Sequence, residues 1–151
     1  MEKYLNKSKK VNRVGIKMVA VGWEWIFLIV AIAVAFFFIV SGLQEKEKNK
    51  IKRRLSLIED NIRRCKSLIV EYGLGSDFEV ALDSFRSEIS DLYLAVKKRS
   101  ESIDKTIDNL EESVNELINA IQSKDKERVK TRISVTRDRI ADLRSEIRRT
   151  T

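Results

Sequence analysis

Between Trp25 and Leu43 the chain reads WIFLIVAIAVAFFFIVSGL, nineteen residues without a charge. A bilayer's hydrocarbon core is about 30 Å thick and a helix rises about 1.5 Å per residue, so about 20 apolar residues cross it. Lipid offers no water to backbone N–H and C=O groups, and a helix satisfies them within the segment. The run predicts a transmembrane helix at 23–43, with a basic tail at 1–22 before it and a helical domain at 44–151 after it. Its membrane-spanning side chains are Phe27, Leu28, Ile29, Val30, Ile32, Val34, Phe36, Phe37, Phe38, Ile39 and Val40. Trp23, Glu24 and Trp25 mark the interface, since indole rings favour the headgroup level and a carboxylate there reaches water.

The tail exceeds the leader of a secretory signal, and the apolar run exceeds the 7–15 residues of a signal core. The segment is therefore expected to remain as an anchor. Leu43, not Cys, follows Gly42, which excludes attachment of a lipoprotein-type lipid. Tyr4, Val11, Val14 and Met18 align on one helical face of the tail. Two readings follow: a helix lying on anionic headgroups, or a disordered tail that carries topogenic charge. Six basic residues precede the span and six follow it closely, so counting them alone nearly ties. A basic leader resists translocation whereas long domains cross largely regardless of charge. The expectation is a single-pass protein of the cell membrane, amino terminus cytoplasmic and helical domain extracytoplasmic.

Several chemistries are closed by composition. His and Pro are absent and one Cys, Cys65, is present. That removes His-based nucleophile pairs, imidazole ligands, an intrachain disulfide and a cysteine zinc site. The clustered glycines, Gly73 and Gly75, lack the following Lys-Ser/Thr of a phosphate loop. The carboxylates Glu101, Asp104, Asp108, Glu111 and Glu112 share a helical face. A calcium site needs six to eight converging oxygens, so a solvated face paired with the basic last helix is expected instead. No catalytic, metal or cofactor-binding residue is assigned, and no enzymatic activity is expected. The Arg-rich last helix has acids at helical spacing and no aromatic for stacking, which argues against nucleic acid.

Heptad seams carry the strongest signal after the span. Ile51, Leu55, Ile58, Ile62, Cys65, Ile69 and Tyr72 recur in alternating steps of four and three. Phe78, Leu82, Phe85, Ile89, Leu92 and Val96 form a second seam, and Ile103, Ile107, Leu110, Val114, Leu117 and Ile121 a third in shifted phase. Val129, Ile133, Thr136, Ile140, Leu143 and Ile147 form the last. Such stripes predict helices that bury one face against neighbours. Gly73 supplies the left-handed stop after Tyr72, and Ser76 or Asp77 caps the next helix, with Glu79 closing a capping box. Residues 97–102 hold either a stutter or a turn. With no Gly or Pro there, the continuous helix is favoured, giving helices of about 44–72, 77–122 and 126–149. At 122–126 a turn is expected, capped by Ser123 or Asp125.

The predicted fold is all-α: a single N-terminal transmembrane helix, then an antiparallel hairpin or three-helix coiled-coil-like bundle. A four-helix bundle is the alternative. Residues 45–72 carry nine basic and five acidic side chains, 77–122 five and eleven, and 123–151 ten and five. Neighbouring bands of unlike sign favour folding back on one another. Such a chain is expected to be a tether, scaffold or assembly surface working through its seams. Its partners would be the bilayer and a protein or a second copy, the latter bringing two Cys65 together. The other reading is an accessory subunit of a membrane enzyme, transporter or filament machine. In layout alone the chain resembles short bitopic coiled-coil proteins of cell division and phage inner-membrane spanins.

Overall fold

The computed structural model describes the backbone of residues 5–98 and 102–150, and the side chains of 25–97 and 102–150. It contains α1 (Leu5–Tyr72), α2 (Ser76–Lys98), α3 (Asp104–Gln122) and α4 (Lys126–Arg149), with no strand among the described residues. Two compact units divide the chain, residues 1–43 and 44–151. α1 runs unbroken through Gly42, where a Cβ would meet no atom within 4 Å. The tail backbone is helical from Leu5, while the side chains of its expected stripe and those of Trp23 and Glu24 lie outside the described residues.

α1 ends where expected. Gly73 takes φ +64°, its N–H donates to the Val70 carbonyl (3.3 Å), and the Leu74 N–H donates to that of Ile69 (3.1 Å). This is a Schellman stop, and Leu74 tucks into the core as its hydrophobic contact. Gly75, at φ +109°, completes the reversal into α2. Between α3 and α4 the roles of the two candidate caps separate. Ser123 closes α3, its N–H donating to Asn119 O (3.0 Å) and its hydroxyl to Ala120 O (2.8 Å). Asp125 opens α4 by accepting from the Arg128 N–H (3.1 Å). Lys124 between them sits at φ +58°, unusual for a residue with a Cβ.

The continuous helix over 77–122 is not what forms. α2 stops at Lys98, Ile103 has φ −91° and ψ 3°, and α3 starts at Asp104. The phase shift between seams is the cause: a straight helix cannot present both stripes to one core. Ile103 leaves the helix and is itself buried, and its carbonyl accepts the Thr106 and Ile107 N–H groups (3.0 Å each). Arg99–Glu101 lie outside the described residues.

The bundle of 44–151 therefore has four helical segments, and side-chain pairs fix their order. Lys66 reaches Asp83 (2.8 Å) and Glu79 (3.4 Å), Glu59 meets Arg86 (3.3 Å), and Lys52 lies over the Tyr93 ring (5.4 Å), so α1 and α2 are antiparallel. Arg54 meets Asp104 and Glu111 at the start of α3, and Lys124 lies over Tyr72 at its end (4.8 Å), so α1 and α3 are parallel. Arg132 pairs with Glu116 (2.6 Å) across the α3–α4 hairpin. Arg144 pairs with Glu88 (3.2 Å) and Arg137 lies over Phe85 (5.9 Å), so α2 and α4 are parallel. Around the bundle the order is α1, α2, α4, α3, and the link after α2 crosses a diagonal.

Charge explains why this order suits the sequence. Residues 45–72 and α4 are net basic, and α2 and α3 are net acidic. A simple sequential ring would set α2 against α3 and α4 against α1, like beside like. The observed ring alternates sign at every contact and puts the like-charged helices on diagonals.

Candidate functional site

Two surfaces are candidates for function: the apolar face of 25–43 and the exterior of the bundle. Every residue from 25 to 43 is exposed. Phe37 and Phe38, each 70% exposed, meet edge to face with ring centroids 6.3 Å apart. A contiguous apolar surface of that size marks a place built to meet apolar surroundings. Among the described residues this is the one helix long and apolar enough to cross a membrane, by length and composition. Trp25 stands at its start with its ring exposed.

The seams have a different fate. Ile51, Leu55, Ile58, Ile62, Cys65 and Ile69 of α1 are buried, as are Leu82, Phe85, Ile89, Leu92 and Val96 of α2. So are Ile103, Ile107, Leu110, Val114, Leu117, Ile121, Val129, Ile133, Ile140, Leu143 and Ile147, while Phe78 packs half-buried against them. One core within one chain takes all four stripes. The seams bind the chain to itself, and any partner meets the bundle's outer faces.

Sequence periodicity missed Leu74, Ser113, Ile118 and Ala120, all buried. Three of these lie on α3, whose buried surface spans two faces because it lies between α1 and α4. The Ser113 hydroxyl donates to Leu110 O (2.8 Å), and Thr136 opposite donates to Arg132 O (2.9 Å). Thr136 Oγ1 lies 3.5 Å from Ser113 O, so the α3 and α4 backbones approach closely there. The small residues Ser113 and Ala120 were the available signal, at positions just off the seam.

Cys65 is fully buried, and burial pushes its thiol up to about 12, only partly opposed by the nearby Arg64 charge. A thiol in this state is neither a nucleophile nor a cross-linking group at neutral pH. Facing Cys65 residues across a dimer seam are incompatible with this core.

Of the carboxylates expected to face the last helix, Asp104, Asp108 and Glu111 are met instead by α1, and the last helix reaches α3 through Arg132 and Glu116. Arg54, its side chain 19% exposed, hydrogen-bonds Asp108 and Glu111 (3.3 Å) and stands 3.7 Å from Asp104. Lys50 adds a contact to Asp104 at 3.7 Å. Burial lowers the Arg54 pKa, and the hydrogen bonds to Asp108 and Glu111 outweigh it, so the net direction is upward. Glu79 is turned to Lys66, whose ammonium is held above its ordinary range chiefly by the Asp83 hydrogen bond. No group of three His, Cys, Asp or Glu side chains among the described residues is arranged for a metal ion. A shallow groove between α2 and α4 is lined by Asp91, Leu92, Leu94, Ala95, Arg144, Ile147 and Arg148.

No family model, curated protein or solved structure matches the chain.

Proposed function

We propose that this chain is a single-pass membrane protein whose helical bundle serves as a non-enzymatic tether or assembly surface beside the bilayer. The observation that carries this reading is the exposure of every residue from 25 to 43. Fully burying a large apolar side chain is worth about 1.5–3 kcal/mol, so a run of this length left in water would be strongly unfavourable. The closed core of 44–151 supports the second half of the reading. With the seams filled internally, recognition falls to the charged exterior, where partner choice depends on charge pattern. The amino terminus faces the cytoplasm in this proposal, because the basic leader resists translocation.

Three measurements test it. After alkaline carbonate extraction of a lysate, the chain stays in the membrane pellet and is released by detergent; recovery in the supernatant sinks the anchor. A carboxy-terminal tag in sealed cells is cleaved by external protease; cleavage only after the cells are opened reverses the orientation. Proximity labelling in intact membranes separates a tether of its own from an accessory subunit, which would give one stoichiometric heavier partner.

A further inference from the structure

The two ends of the bundle differ in charge. The end made of 44–53, 91–97, 102–104 and 144–149 carries nine basic and five acidic side chains. The opposite end, 70–80 with 120–130, carries four basic and five acidic. Helix order puts them at opposite ends: Lys52 meets Tyr93 at one, while Lys124 meets Tyr72 at the other. Several of the basic groups are exposed and only loosely engaged. Lys50 and Arg149 have partners at 3.7 Å, and among the described contacts Lys46, Lys97 and Arg148 have none. Beside Arg148 the groove presents Leu94, 65% exposed, with Asp91 as its one carboxylate.

Resting on the anchor reading, we infer that this basic end of the bundle docks on the phosphate headgroups of anionic lipids in the leaflet from which it emerges. The covalent chain sets the distance. Lys46 is three residues beyond Leu43, a separation of at most about 11 Å even fully extended. A basic group so close to an anionic surface is attracted, and each is worth about a fivefold shift in the docked ratio. Leu94 between such groups enters the headgroup layer as the arginines pair with phosphate. Docking gives the bundle a fixed attitude to the membrane and turns its opposite, nearly neutral end outward.

The test uses the full chain in lipid nanodiscs, with a fluorophore on Ser102→Cys at the basic end or Gln122→Cys at the other. Cys65 stays in place because it is buried. The readout is contact-range quenching by a nitroxide on lipid headgroups. In discs of phosphatidylcholine doped with phosphatidylglycerol, quenching at position 102 exceeds that in pure phosphatidylcholine at least about twofold. It returns to the neutral-disc level in about 1 M salt, where the screening length is about 3 Å, while position 122 stays unquenched throughout. The exposed substitutions Lys97→Glu and Arg148→Glu reproduce the effect of salt at low salt. Equal quenching in both lipids, or quenching indifferent to salt, overturns the inference and leaves the basic end to an acidic protein partner. A chain that does not float with the discs overturns the anchor as well, so the two failures are distinguishable.

Discussion

Replacing Arg54 by Met tests the idea that unlike charge, and not packing alone, holds α1 against α3. Met keeps most of the aliphatic volume and removes the guanidinium. Arg54 meets three carboxylates, Asp104, Asp108 and Glu111, which are 54%, 64% and 39% exposed. A hydrogen bond to a charged group contributes about 1.5–3 kcal/mol when shielded. Exposed pairs contribute about 0.2–1 kcal/mol. With the arginine mostly covered and its partners largely hydrated, the pairs together are worth about 1.5 kcal/mol. Removal also leaves three carboxylates on one helical face, whose mutual repulsion adds a few tenths of a kcal/mol. The expected loss is about 2 kcal/mol, or a fall in Tm of about 8 °C for a domain of this size. The assay is thermal unfolding of the full chain in detergent micelles, followed by circular dichroism. Exposed Arg53→Met is the control and shifts stability by less than about 0.5 kcal/mol. Raising salt to about 1 M shrinks the Arg54→Met effect by screening. A loss no larger than that of Arg53→Met, or one unchanged by salt, refutes the reasoning.

Other expectations rest on separate parts of the fold. Leu110→Ala, at a site with no exposure, loses about 3 kcal/mol, read as a lower denaturation midpoint with an unchanged slope. Gly73→Ala forces a Cβ into φ +64° and costs about 1–2 kcal/mol, although no neighbour crowds the site. Cys65 labels with a thiol reagent at pH 8 at the rate of global opening, so denaturant accelerates labelling; fast labelling in native buffer would contradict its burial. Because folding raises the Cys65 pKa from 9.0 to about 12, the folded state holds the proton more tightly. Its contribution is fully present below pH 9 and is lost as pH rises through 12, which Cys65→Ala removes from the alkaline limb.

Much of this architecture was legible in the chain because helix periodicity is local. Each seam is a statement about residues three and four apart, and all four stripes face the core as their spacing requires, with only Tyr72 and Phe78 half-buried at the stripe ends. The Gly73 stop was equally legible, since the left-handed backbone it adopts is a single-residue property. The break near residue 100 was harder to read. KKRSES contains no residue that forbids a helix, and the reason to leave it is the need of Leu92, Val96, Ile107 and Leu110 to reach one core. The partner of Asp104, Asp108 and Glu111 was misread for a similar reason. Both α1 and α4 are basic, and which of them reaches Asp108 depends on neighbours around the ring.

By itself the sequence determined that an uncharged run at 25–43 precedes a set of amphipathic helices, and which side of each helix is apolar. These are matters of local composition and of 3.6 residues per turn, with no need to know what lies opposite. Tertiary structure alone decided that the seams close on one another within a single chain, that Cys65 is sealed, and that the helices alternate in charge around the core. Those outcomes turn on contacts between residues as distant as Arg54 and Glu111, which form only after the helices have chosen their places.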